Sequence, residues 1–238
     1  LYDYNALTLS IYNDRLKCTG TYDISNIYQG EDLELFASSS DNQYFIKSDN
    51  SQNYQLVTIE DKKLKFDNLD ASLYGTKPVS ISDSGRTIAL TGVDPLTLGY
   101  RTRILDVSSG ATLYSVPSDP YYIGDLSDQT FVGSTNAYEC FFTYADRFGN
   151  DAFFRKDDVR QIEVLDDASF VMVTQNLDNG ESDYLLGFQR YDTAGQTLSA
   201  FSYECGNESS TGVYLSNHQA FFDEEQLGFI LAYNTSMQ

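Results

Sequence analysis

The sequence predicts an all-β protein assembled from a repeated four-stranded unit. Tyrosine and phenylalanine supply 19 and 15 of the 238 residues, whereas only 4 prolines occur, and aromatic side chains favour a pleated, half-buried sheet. Short runs of β-branched and aromatic residues alternate with clusters of Asp, Asn, Ser and Gly, which favour tight turns. These turns recur at a similar spacing, which indicates that one unit is repeated along the chain.

The first half of each unit is predicted to be a hairpin with an Asp, Asn or Ser turn. Residues 79–92, VSISDSGRTIALTG, contain one strand, a turn at Asp83-Ser84-Gly85 and a second strand. Side chains of this kind bond back to the local backbone and tolerate left-handed geometry. Corresponding turns are placed at Asp41, Asp83, Asp128, Asp167 and Asn217, which lie 42, 45, 39 and 50 residues apart.

The second half of each unit is predicted to be a further hairpin. These hairpins cover residues 54–66, 101–116, 139–154 and 184–202. In the last three, an Asp stands three or four positions before a Gly, which predicts a turn with positive φ at the Gly. The aspartates concerned are Asp106, Asp146 and Asp192.

A four-stranded unit of roughly 40 to 50 residues has the period of a β-propeller blade, whose strands are named A to D from the inside outwards. ISDSGRTIAL (residues 81–90) resembles the A–B hairpin of the WD-type and related β-propeller families. ILDVSSGATLYSV (residues 104–116) resembles their C–D hairpin. The chain has no Trp and therefore lacks the Trp-Asp signature. The resemblance implies an architecture but no activity.

The two ends of the chain predict how the ring closes. Residues 7–20 are similar to residues 56–66, which predicts a C–D hairpin, whereas residues 212–233 predict an A–B hairpin. Joined, they would form a composite last blade and hide two sheet edges. We therefore expect one β-propeller domain over residues 1–238, with five four-stranded blades. A fragment of a larger ring and a two-sheet sandwich are the alternatives.

The charge of the chain restricts its partners. It carries 35 acidic and 15 basic residues, for a net charge of −20, which repels nucleic acid and anionic membrane surfaces. No apolar run has the length of a membrane span. Basic proteins, cations and neutral glycans remain as partners. The Asp-rich composition favours an extracytoplasmic setting: secreted, periplasmic or on the cell surface.

No catalytic residue is predicted. The single histidine, His218, lies in a predicted turn, and neither a Gly-x-Ser-x-Gly elbow nor a glycine-rich phosphate or dinucleotide motif occurs. No cofactor is required by any motif. Five-bladed propellers include glycosidases with carboxylates around a central funnel, so a glycan-processing hydrolase is the alternative function.

The predicted binding residues lie in loops on one rim, because the D–A and B–C connections of a propeller gather on the same face. Tyrosine joins apolar area to a polar tip and can stack on sugars or anchor a protein partner. We therefore predict a non-catalytic binding or assembly module, with a structural subunit of a surface layer or filament as a second alternative. The rim residues are Tyr22, Tyr28, Tyr74, Asp119, Tyr121 and Tyr122 in D–A connections, and Leu96, Leu98 and Tyr100 in one B–C loop.

A weaker prediction concerns calcium. Asp178, Glu181 and Asp183 surround Gly180 in a predicted B–C loop, and oxygen ligands near a Gly bend suit a hard cation. The spacing is not that of an EF-hand, so an ordinary solvated turn is the alternative.

Two kinds of residue bear on the compartment. Asn207 and Asn234 begin Asn-x-Ser triplets, which accept glycans in a suitable secretory pathway. Cys18, Cys140 and Cys205 allow either one disulfide with a free thiol or three thiols, and they form no metal signature.

Overall fold

In a computed structural model, the regular elements of the described part of the protein are antiparallel β-strands. The structure describes residues 2–3, 8–12, 15–23, 33–35, 44–48, 54–60, 63–68, 74–118, 124–135, 141–165, 167–177, 183–207, 219–223 and 228–232.

Four sheets of four strands form the repeated part of this structure, and we name them blades I to IV. Blade I comprises β4 (Leu33–Leu35), β5 (Tyr44–Ser48), β6 (Tyr54–Glu60) and β7 (Lys63–Asn68). Blade II comprises β8 (Tyr74–Ile81), β9 (Thr87–Val93), β10 (Tyr100–Asp106) and β11 (Thr112–Val116). Blade III comprises β12 (Gly124–Leu126), β13 (Thr130–Ser134), β14 (Phe141–Asp146) and β15 (Asp151–Arg155). Blade IV comprises β16 (Val159–Val164), β17 (Phe170–Leu177), β18 (Asp183–Tyr191) and β19 (Thr197–Asn207).

Each blade is a meander in which every strand pairs with the next strand along the chain. The predicted hairpins of residues 79–92 and 101–116 are the pairs β8–β9 and β10–β11 of blade II, with Ile88 opposite Ile81 and Tyr114 opposite Ile104. The prediction of repeated four-stranded units is therefore confirmed.

The blades stack face to face. Every residue of β13 is buried, and so are six of the seven residues of β9, whereas the outer strand β15 alternates between exposed and partly buried positions. A sheet that is covered on both faces has no solvent side, so its middle strands show continuous burial. Leu126 and Phe131 pack towards blade II, and Phe142 and Tyr144 pack towards blade IV.

The first strands of neighbouring blades lie side by side. β12 contacts β8 of the preceding blade and β16 of the following one, and β8 also contacts β5 and β6 of blade I. Blades II to IV therefore share an inner edge, which is the arrangement of A strands around a propeller axis.

The predicted closure of the ring is not seen. The N-terminal sheet contains β1 (Tyr2–Asp3), β2 (Thr8–Tyr12) and β3 (Cys18–Asp23), and the C-terminal one contains β20 (Gln219–Asp223) and β21 (Gly228–Ala232). Within the described ranges no strand pairing joins the two sheets. One edge of β2 pairs with β3 and the other begins to pair with β1, so the edge that a C-terminal strand would take is partly occupied. The number of blades stays a prediction.

The turns follow the predicted chemistry. Gly110, Gly149 and Gly195 all have positive φ, at 67°, 88° and 74°. Asp106 Oδ1 accepts hydrogen bonds from the Ser108 hydroxyl at 2.6 Å and from the Ser109 backbone N–H at 2.8 Å. These serine groups hold the pKa of Asp106 below its usual range. The carboxylate therefore stabilises the turn.

We expect Gly110→Ala to lower the free energy of unfolding by about 1 kcal/mol, because a Cβ disfavours left-handed backbone. Nothing lies within 4 Å of that Cβ, so the effect isolates the backbone. Gly99→Ala is the matched control in the same blade, since Gly99 has no positive φ and its nearest neighbour would be 3.7 Å away. Urea unfolding of both variants measures the difference, and equal stabilities would contradict the turn geometry.

Candidate functional site

The connection between β9 and β10, residues 94–99, is a compact loop fastened to its first residue. Asp94 Oδ1 accepts a hydrogen bond from the Leu96 backbone N–H at 2.8 Å. The Leu98 N–H donates to the Asp94 carbonyl at 2.8 Å, and the Asp94 N–H donates to the Gly99 carbonyl at 2.9 Å. The loop therefore satisfies much of its own backbone hydrogen bonding.

Arg101 ties this rim loop, residues 94–99, to blade II. Its Nε donates to Asp94 Oδ2 at 3.2 Å, and its guanidinium also donates to the Ser115 hydroxyl on β11 at 3.0 Å. The Leu96 N–H, with a smaller contribution from Arg101, holds the pKa of Asp94 below its usual range. Asp94 consequently stays ionised at neutral pH and keeps both contacts.

The rim loop presents apolar side chains to solvent. Leu96 is 92% exposed, Leu98 is 79% exposed, and Tyr100, directly after the loop, is 54% exposed. Leu98 also has a φ of 57°, a left-handed conformation that is costly for a leucine. Strained backbone is concentrated at binding and catalytic sites. A fixed loop carrying exposed leucines is suited to docking, because little conformational freedom is lost on binding.

The structure brings two of the predicted rim tyrosines into one row. Tyr74 begins β8 and Tyr100 begins β10, and both lie opposite Val93 of β9. Tyr22, predicted in a connection, lies inside β3 opposite Leu9, because β3 continues to Asp23. Its hydroxyl is 2.8 Å from the position that a Cβ on Gly20 would take. The other predicted rim residues lie outside the described residues: Tyr28, Asp119, Tyr121 and Tyr122.

The metal and modification predictions are only partly covered by the structure. Asp178, Glu181 and Asn234 lie outside the described residues, while Asp183 begins β18 and Asn207 ends β19. No cluster of three or more metal-binding side chains occurs in the part of the chain that is described. The described part also contains no helix of sufficient length and apolar character for a membrane span.

Of the cysteines, Cys18 is an exposed free thiol. Cys140 lies outside the described residues, and Cys205 lies in β19.

One buried ionisable residue was not predicted from the sequence. Asp125, in the middle of β12, joins the inner strands of three blades. Its Oδ1 accepts a hydrogen bond from the Ser80 hydroxyl of β8 at 2.6 Å, and its Oδ2 accepts from the Val164 backbone N–H of β16 at 2.8 Å. Burial raises the pKa of Asp125 to about 6, although these hydrogen bonds act in the opposite direction. The only signal in the sequence is one acid in a short inner strand.

A second aspartate joins blades II and III at their A–B turns. Asp128 Oδ1 accepts hydrogen bonds from the hydroxyls of Ser82, at 2.8 Å, and Ser84. Arg86 lies 3.7 Å from Asp128 Oδ2, but its side chain is 79% exposed, so this ion pair contributes little. The Thr87 hydroxyl donates to the Ser127 carbonyl at 3.2 Å. These predicted turn formers therefore also connect neighbouring blades.

Asp125 has a structural role in this arrangement. A carboxylate that acts as a general acid or base must reach a substrate proton. Both oxygens of Asp125 are already engaged by protein donors from two neighbouring blades. We therefore take the rim loop, and not the inner junction, as the candidate site.

Known proteins give a fold-level comparison. No family model and no curated protein matches the sequence. Among solved structures, the chain is similar to the Dos1 propeller, with a TM-score of 0.53, 12% identity and 95% of this chain covered. It is also similar to hydrazine synthase of Kuenenia stuttgartiensis, with a TM-score of 0.51, 11% identity and 87% of this chain covered. A third similar structure is a chain of the Mitotic Checkpoint Complex, with a TM-score of 0.50, 8% identity and 82% of this chain covered.

The match to each of these structures spans 59% of the length of the other chain. At such low identity the similarity shows the fold alone, and it agrees with the stacked four-stranded blades.

Proposed function

Because the chain has the β-propeller fold, we propose that it is a non-catalytic binding or assembly module that docks a partner on its rim loop. The observation that carries this proposal is the pair Leu96 and Leu98, at 92% and 79% exposure, on a loop that Asp94 holds in place. Contiguous exposed apolar side chains mark interaction surfaces, and Leu96, Leu98 and Tyr100 lie within five residues of one another along the chain. One similar structure comes from a multiprotein complex, which is in keeping with an assembly role.

The chemistry of the rim loop favours a protein partner over a glycan. Sugars stack on aromatic faces, whereas Leu96 and Leu98 offer aliphatic side chains that fit an apolar pocket on another protein. Tyr100, which directly follows the loop and is 54% exposed, would add aromatic area at the edge of the same surface. A glycan partner remains the alternative, and it would depend on this tyrosine.

A double substitution tests the rim. We expect Leu96→Asp with Leu98→Asp to abolish capture of the specific partner from the native source, because two charges would be placed in an apolar contact. The matched control is Leu113→Asp on β11, whose leucine is 43% exposed but lies away from the loop. Quantitative affinity purification of the three proteins measures the effect. Equal recovery of the partner with both variants would contradict the proposal, provided that circular dichroism shows all three folded.

We also propose an extracytoplasmic setting, supported by the net charge of −20 and the Asp-rich composition. Calcium at Asp178, Glu181 and Asp183 stays a prediction, testable by calorimetric titration of the protein with Ca²⁺.

The glycan-processing hydrolase and the surface-layer subunit remain alternatives. Hydrolysis of a glycan panel by the purified protein would favour the hydrolase, and large homomeric assemblies in sedimentation would favour the surface-layer subunit.

A further inference from the structure

The outer strand of blade IV differs from the outer strands of blades II and III. β19 has 11 residues, whereas β11 and β15 have 5 each. It pairs with β18 from Thr197 to Asn207, and within the described residues no strand pairs with its other edge. In an antiparallel edge strand, alternate residues direct their N–H and C=O groups away from the sheet.

The first part of β19 is exposed along its whole length. All six residues from 197 to 202 are exposed, including Leu198 at 57% and Phe201 at 45%. The Phe201 ring stacks on Phe188 of β18, with 4.8 Å between ring centroids and an interplanar angle of 8°. This contact holds the strand against blade IV. The register with β18 shifts between Thr197 and Ser199 and is regular from Ser199 to Glu204, so the outer edge is presented in a regular extended form from Ser199 onwards.

Charged side chains and prolines, which protect many sheet edges, are missing from this stretch. Natural edge strands are blunted by Lys, by Pro, by other charges or by short length. β7 carries Lys63 and Lys65, and β15 carries Asp151 and Arg155. By contrast, residues 197–203, TLSAFSY, contain neither a charged residue nor a proline. Such an edge is a template for pairing with another extended chain.

We propose that the edge of β19 binds an extended basic segment of a partner protein, which adds to blade IV as a further strand. Charge decides between this occupant and a second copy of the chain. A second copy would bring together two proteins of net charge −20, whereas a Lys- and Arg-rich segment is attracted by the same field. In the sequence, acidic residues stand on both sides of the uncharged stretch, at Asp192 and Glu204. This proposal rests on the proposed function in one respect: both take the partner to be a protein. The surface involved is a different one.

Three peptide probes test the inference: a short peptide of alternating Lys and Val, its Glu and Val counterpart, and the Lys peptide N-methylated at alternate residues. We expect the Lys peptide to bind and the Glu peptide to bind at least about tenfold more weakly, because its charge has the same sign as that of the protein. The N-methylated peptide should lose binding, because strand addition needs backbone N–H donors. Fluorescence anisotropy measures binding. Hydrogen exchange should show new protection of the amides of residues 197–202 when the Lys peptide is bound.

Matched variants locate the site. Leu198→Lys should weaken binding of the Lys peptide by about tenfold, because an edge lysine repels it and blunts the strand. Leu113→Lys places the same charge on the edge strand β11 and should leave binding unchanged. Ala200→Lys is the second variant should Leu198→Lys fail to fold.

Other outcomes would overturn the proposal. The first is that the N-methylated peptide still binds, and the second is that Leu198→Lys and Leu113→Lys weaken binding equally. The third is a dimer in sedimentation that Leu198→Lys dissociates, because this result would identify a second copy of the chain as the occupant. Peptide binding that persists in the Leu96→Asp and Leu98→Asp double variant separates this edge from the rim loop. Failure of one proposal can therefore be distinguished from failure of the other.

Discussion

Phe170→Ala is expected to lower the free energy of unfolding by about 3 to 5 kcal/mol, the range for truncating a buried aromatic side chain. Phe170 is fully buried between blades III and IV. Its ring lies 5.5 Å from that of Phe154 and 6.2 Å from that of Tyr144, both of blade III, and 5.2 Å from that of Tyr191 within blade IV. Truncation removes contacts on both blades and leaves a cavity that rigid sheets close poorly.

Phe153→Ala is the matched control for this experiment. Phe153 lies on the outer strand β15, is 66% exposed and stacks on Phe141, with 5.6 Å between ring centroids. Its truncation should cost about 1 kcal/mol or less. Urea unfolding followed by circular dichroism measures both variants. A loss below about 1.5 kcal/mol for Phe170→Ala would show that blades III and IV do not stack through this cluster.

Stability should also depend on the protonation of Asp125. Burial raises the pKa of this carboxyl from 3.8 to about 6. The folded protein therefore holds the proton more tightly than the unfolded chain does. The resulting stabilisation is fully present below about pH 4 and is lost as the pH rises through about 6. A shift of this size corresponds to about 3 kcal/mol in all, of which about 2 kcal/mol separates pH 4.5 from pH 7.5.

Asp125→Asn isolates that contribution. The amide can donate to the Ser80 hydroxyl and accept from the Val164 N–H, so both links between blades are retained without a titrating group. We expect the difference in unfolding free energy, wild type minus variant, to be about 2 kcal/mol more positive near pH 4.5 than near pH 7.5. Chemical denaturation at several pH values measures it. A difference that does not change with pH would show that Asp125 is not enclosed by the inner strands.

The repeated blade could be predicted from local patterns. A turn such as Asp83-Ser84-Gly85 is formed by a few neighbouring residues, and the observed φ of 70° at Gly85 is what its glycine allows. The same holds for Asp106 and Gly110. Hairpins of this kind need no distant contact to be recognised, which is why the four-stranded units and their order were predictable.

The candidate site was predicted only in part. The loop with Leu96 and Leu98 was found, because the irregular B–C connection stands out from the repeat. Its rigidity was not found, since it depends on Asp94 meeting Arg101 from the next strand. Asp125 was missed for a similar reason: Ser80 and Val164, its partners, are 45 and 39 residues away in the sequence.

The sequence by itself determined the local units of this protein: aromatic and β-branched strands, Asp and Gly turns, and a strongly acidic surface. These depend on interactions within a hairpin or on composition. Only the tertiary structure decided which strands meet. It decided that Asp125 links three blades, that β1 takes part of the edge of β2, and that among the described residues no strand pairs with the outer edge of β19. Whether a side chain is buried or a strand edge is paired depends on which distant segments pack against it. Local sequence patterns do not encode that packing.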